Sequence, residues 1–147
     1  MTHQSPDVHA DSALLRATLR IGGALVVVFF LTTPLATTGV IAHDSFLGRR
    51  VLWGHGGNEY LIMLAVINIV LGAYLFWSAR NPSRYWLAID IFLVAETVHL
   101  ASMVVMALSP EHHMHWLGDV TGPVIGLIVL AAIWLPRRSA VIAAGNG

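Results

Sequence analysis

Four apolar stretches, close to residues 21–41, 59–78, 84–108 and 117–135, account for most of this 147-residue chain. Each approaches the roughly 20 helical residues that a bilayer core requires. Only 11% of the chain is charged and 56% is hydrophobic, against about one quarter charged in soluble domains. The pattern predicts an all-α, multi-pass membrane protein with four transmembrane helices in an antiparallel bundle. Residues 1–20 read as a polar N-terminal segment, 21–136 as the membrane domain and 137–147 as a short tail. There is no internal repeat or low-complexity tract, so one membrane domain is expected.

Arg16, Arg20, Arg80, Arg84, Arg137 and Arg138 fall on one side of the membrane if the four segments alternate, and Arg49 and Arg50 on the other. The positive-inside rule then puts both termini in the cytoplasm. Trp77, Trp86 and Trp134 fall at the inner ends and Trp53 and Trp116 at the outer ends, as an aromatic belt would. A lesser reading makes the first segment a cleavable signal, with its charged start and the run Val40-Ile41-Ala42. Pro34 and its flanking threonines, and the polar third helix that would lose its partner, favour a retained helix.

All eight basic residues are Arg, and no basic patch points to nucleic acid. The absence of Lys excludes a Schiff base, and the absence of Cys excludes disulfides, thiolate ligation and iron-sulfur clusters. Any chemistry must come from His, carboxylates, hydroxyls or a bound cofactor. Locally, Pro34 should kink the first helix, with Thr32, Thr33, Thr37 and Thr38 returning hydrogen bonds to the freed carbonyls. Asn58 should cap the second helix with Glu59 in its first turn, and Asn81-Pro82 should turn into the third. Gly22, Gly23, Gly72, Ala73, Gly122 and Gly126 would permit close helix contact.

The third segment, WLAIDIFLVAETVHLASMVVMAL, carries Asp90, Glu96 and His99. At 100° per residue Glu96 and His99 lie about 60° apart and share a face. Asp90 lies nearly opposite His99, and snorkelling toward Arg80 or Arg84 is its expected role. Glu96 falls near mid-membrane, where a carboxyl group must be protonated or partnered. Asn68, near the middle of the second helix, is its expected hydrogen-bond partner.

His43, His55, His112, His113 and His115 lie at or beyond the outer surface with Glu59, Glu111 and Asp119. These ligand types suit a transition metal, and His112, His115 and Asp119 could hold one loosely. Glu96-Thr97-Val98-His99 has the Glu-x-x-His form of di-iron bundles, but the second such motif is missing. Asp119 should lie about 10 Å outside His99 along the membrane normal, too far to share one ion. A water-linked chain from Asp119 and His115 to His99 and Glu96 fits that depth better.

Over roughly residues 16–138 the chain resembles a family of small four-helix bacterial membrane proteins, a domain of unknown function. The resemblance rests on NEYLIMLAVINIVLGAYLFWSARNP, VHLASMVVMAL and HWLGDV. It implies a bacterial inner-membrane protein and marks Glu59, Gly72, Arg80 with Pro82, His99 with Met103, and His115 with Gly118, Asp119 and Val120. Asp90 and Glu96 depart from the family pattern, which expects apolar or small residues there. The resemblance brings no activity.

The leading expectation is an outward-opening polar cavity in which Glu59, His99, His115, Asp119, Glu96 and Asn68 bind a small ligand, ion or proton. A metal- or haem-binding oxidoreductase subunit is the second reading, and a structural subunit of a membrane complex the third. The lipid bilayer is the one partner the sequence implies directly, with a homo-oligomer or larger complex left open.

Overall fold

The computed structural model describes residues 12–52 and 58–145, and every element among them is helical. Helix α1 spans Ala13–Thr37, α2 Gly48–Val51, α3 Asn58–Ser78, α4 Trp86–Ala107, α5 Thr121–Trp134 and α6 Arg138–Gly145, with a 3-10 helix at Pro110–Leu117. Three helices, Ala13–Thr37, Glu59–Ser78 and Trp86–Ala107, are long and apolar enough to cross a membrane. The 3-10 helix and α5 make a fourth span only if taken together across a 54° bend.

Helix α1 begins eight residues before the apolar run expected at residue 21. Ser12 caps it, its side chain accepting from the Leu15 amide at 3.2 Å, and Leu15 and Leu19 are fully buried. The short polar stretch is therefore helical because successive turns of it still reach the core through Leu15 and Leu19. At its other end Gly39 adopts a φ of +80°, a left-handed conformation that glycine takes at little cost, and the helix stops.

Pro34 sits inside α1, where its ring removes the amide that would bond the Phe30 carbonyl. The threonines do not replace that donor. Thr32 bonds the Phe29 carbonyl at 2.6 Å, and Thr37 and Thr38 both bond the Pro34 carbonyl. Thr33 is buried instead. Between α3 and α4 the Asn81 side chain accepts from the Ser83 hydroxyl at 2.8 Å and the Arg84 amide at 3.1 Å, closing the turn around Pro82. The Trp53 and His55 positions and the side chain of Asn58 lie outside the described residues.

The most extensive helix contact is α1 on α3, and α5 touches α1 and α4 more sparingly. Gly23 and Gly72 make the first contact possible: a Cβ at Gly23 would stand 2.6 Å from the Gly72 carbonyl oxygen and 2.5 Å from the Phe76 amide nitrogen. Backbones can approach that closely only where side chains are missing. The core gathers at the end of the bundle that holds the start of α1, where Leu15, Leu19, Leu75, Ile89, Phe92, Leu130 and Trp134 pack together. Facing outward, Leu25, Val28, Val66, Val94, Val98, Ile125 and Ile128 are all exposed. A soluble bundle places polar residues there; an apolar exterior suits lipid.

Candidate functional site

The cavity occupies the gap left by the sparse packing of α5. It has a volume of about 520 Å³ and runs from Thr18 near the start of α1 to Asp119 before α5. Its walls are mainly apolar, with Phe29, Phe30, Phe92, Met103 and Met106 among the larger side chains and Thr33, Glu96, His99, Ser102 and Asp119 supplying polar atoms. The polar cavity expected from sequence is thus an apolar one with polar groups in its wall.

Glu96 and His99 share this wall because they stand one turn apart on α4. Glu96 is 5% exposed, and its Oε2 lies 3.5 Å from Nδ1 of His99, too long for a good hydrogen bond. Nδ1 is buried and has no hydrogen-bond partner among the described residues. The Phe30 ring packs against the imidazole with centroids 6.1 Å apart. A buried polar atom without a partner costs free energy unless something else satisfies it.

Asn68 does not reach Glu96, contrary to expectation. Its amide donates to the Leu64 carbonyl one turn back at 3.0 Å, since a helix offers that acceptor at no cost in side-chain reach. Glu59 is exposed in the first turn of α3 and is absent from the cavity wall, so it stands apart from the other candidates.

Before α5, one side of the 3-10 helix turns into the bundle. His115 is 2% and Asp119 4% exposed, and Nδ1 of His115 donates to Oδ1 of Asp119 at 2.9 Å. That bond fixes the imidazole proton on Nδ1. Trp116 anchors the turn by donating to the Ala107 carbonyl at 2.9 Å, thereby capping α4. The fourth helix accordingly starts at Thr121, not at 117, and Asp119 reaches the same cavity as His99. His43 is exposed, and the exposed His113 donates to the Leu108 carbonyl at 3.2 Å.

Among the described residues no group of three or more His, Asp or Glu is placed to hold a metal ion, so His112, His115 and Asp119 do not form such a set. The His112 and His115 rings stand 5.9 Å apart and tilted, while His115 directs Nδ1 to Asp119. Phe30 was not singled out from the sequence, and Thr33 and Arg50 were read only as a donor beside Pro34 and as a charge that sets orientation. Arg50 packs its stem against Gly118, lies 3.4 Å over the Phe46 ring and keeps Nε buried without a hydrogen bond. No local signal marks them, because their importance lies in what crosses from another helix.

Asp90 belongs to the opposite end of the bundle from Asp119, beside Trp134 and Arg138. It does not reach Arg80 or Arg84, which stack on Trp77 and Tyr85. Arg138 grips it through Nε at 2.8 Å and Nη2 at 2.7 Å, and the Trp134 indole donates to it at 2.8 Å. The hydrogen bond to Asp90, followed by its charge, holds the Arg138 guanidinium above its ordinary range. This cluster locks α4 to α5 and α6. Asp90→Asn and Arg138→Gln are expected to lower the unfolding midpoint in an SDS titration, and the double variant to fall no further than the worse single. Strict additivity would show that the two groups do not act on each other.

No family model, curated protein or solved structure matches this chain. The site's chemistry therefore rests on its own geometry.

Proposed function

We propose that this is a multi-pass protein of a bacterial inner membrane, an antiparallel four-helix bundle with both termini cytoplasmic, whose internal cavity binds a small ligand entering toward the outer face. His99 and Glu96 form its polar anchor, and Asp119 with His115 its outer end. The single observation that carries this reading is the buried Nδ1 of His99, without a hydrogen-bond partner among the described residues, beside buried Glu96 in the wall of a 520 Å³ cavity. A cavity of that size, apolar apart from a few polar groups, is the usual form of a small-molecule site. A purely structural role would favour filled space and satisfied polar atoms. The arginine distribution supports the orientation.

Because the chain has no Cys, single introduced cysteines report without background. In right-side-out vesicles a membrane-impermeant maleimide is expected to label Ala42→Cys and the cavity variant Met103→Cys, but Ser139→Cys only after permeabilisation. Failure of Met103→Cys to react, with Ala42→Cys reacting, would reject the outward opening. Labelling of intact vesicles at Ser139→Cys would reverse the orientation.

A further inference from the structure

Resting on the reading of this cavity as a binding site, we infer that its ligand is a lipid-soluble molecule with a neutral, flat, carbonyl- or phenol-bearing ring, the class to which quinones and quinols belong. Three observations select that chemistry. First, the polar atoms in the middle of the wall are an imidazole nitrogen without a hydrogen-bond partner among the described residues and a carboxyl group, with Nδ1 of His99 and Oε2 of Glu96 3.5 Å apart. Such a pair can donate to one carbonyl oxygen or accept from one phenol hydroxyl. Second, no arginine lines the cavity, so a phosphate or fatty-acid carboxylate would be buried there with no guanidinium to offset its charge. A neutral head avoids that cost. Third, Phe29, Phe30 and Phe92 join Met103 and Met106 in the wall. Aromatic rings and thioethers pack favourably against a flat ring.

Entry from the bilayer fits the packing. Gly122 and Gly126 face open space, with nothing within 4 Å of where a Cβ would stand, and both line the cavity beside Pro123. Helix α5 thus leaves two gaps without side chains, at Gly122 and Gly126, in a wall otherwise made by Pro123, Leu127 and Leu130. The apolar length between Thr18 and Glu96 accommodates the start of a lipid tail below the ring.

The test uses the full chain in detergent, incubated with decylubiquinone, separated from excess by gel filtration and assayed for bound quinone. Wild type is expected to retain about one quinone per chain. Gly126→Leu, which has room to fill the cavity, and His99→Leu should each reduce retention at least tenfold, the scale of one hydrogen bond or lost contact set worth about 1.4 kcal/mol. His99→Gln, which keeps an N–H donor, should recover part of it. Ala132→Leu, on the exposed side of α5, should bind as wild type. Circular dichroism confirms that each variant is folded.

Retention by wild type no greater than by Gly126→Leu overturns the proposal, and so does equal retention of oleate or oleyl alcohol. Maleimide labelling of Met103→Cys separates the two levels of inference. If Gly126→Leu blocks that labelling while no quinone is retained, the cavity stands and the ligand class falls. If Gly126→Leu leaves labelling unchanged, the cavity reading falls with it.

Discussion

Gly23→Ala is expected to be the most damaging single-methyl change in this protein. The added Cβ would stand 2.5 Å from the Phe76 amide nitrogen, 2.6 Å from the Gly72 oxygen and 2.8 Å from the Phe76 Cα, all of them backbone atoms. No side chain can rotate away, so α1 and α3 must separate along their whole contact. Overpacking typically costs about 1–3 kcal/mol, and a backbone clash at the most extensive helix interface belongs at or above the top of that range. Gly22→Ala provides the comparison. Its Cβ would meet only Leu75 Cδ2, at an ordinary 3.8 Å. SDS titrations of the two variants, followed by tryptophan fluorescence, should show a large drop in midpoint for Gly23→Ala and almost none for Gly22→Ala. Equal midpoints would mean that the α1–α3 approach is looser than the structure has it.

Trp134→Ala is the second large effect. Trp134 is fully buried in the core and also donates to Asp90. In a water-soluble core such a truncation costs about 3–5 kcal/mol, through lost transfer free energy and the cavity left behind. Lipid is as apolar as the core, so much of the transfer part drops out here and the packing part remains. About 2–3 kcal/mol is expected, including the lost hydrogen bond to a carboxylate. Trp134→Phe should restore most of the packing but not the hydrogen bond, and so fall between the two in the same titration. A Trp134→Phe variant as weak as Trp134→Ala would assign the loss to the hydrogen bond instead of the ring volume.

These two residues show how much of the molecule was legible beforehand. Gly23 was recognisable as a small residue suited to helix contact, but so were Gly122 and Gly126, which border the cavity and touch nothing. Trp134 was recognisable as an inner-end tryptophan, expected at the interface and found in the core. At the site, the shared face of Glu96 and His99 followed from helical spacing alone. The depth of Asp119 did not, because it depends on the inward fold of the 3-10 helix that Trp116 ties to Ala107. Nor did the partners of Glu96 and Asp90, where the nearest expected groups, Asn68 and the arginines between α3 and α4, found an acceptor or aromatic rings close by in their own sequence.

The sequence by itself determined that the chain forms long apolar helices, because a bilayer-length run of apolar residues carries its class in its composition. It also determined local punctuation such as the Asn81-Pro82 turn, where one residue's own side chain sets the geometry, whereas the stop at Gly39 fell inside the segment expected to run to residue 41. Which face of each helix points inward was decided only by tertiary structure. In water an amphipathic stripe announces that choice, but a helix between protein and lipid is apolar on both sides, and the periodicity that would mark its buried face is nearly absent. The glycines that touch, the glycines that leave a cavity, and the arginine that grips Asp90 are consequences of that choice, settled by packing between helices distant in the chain.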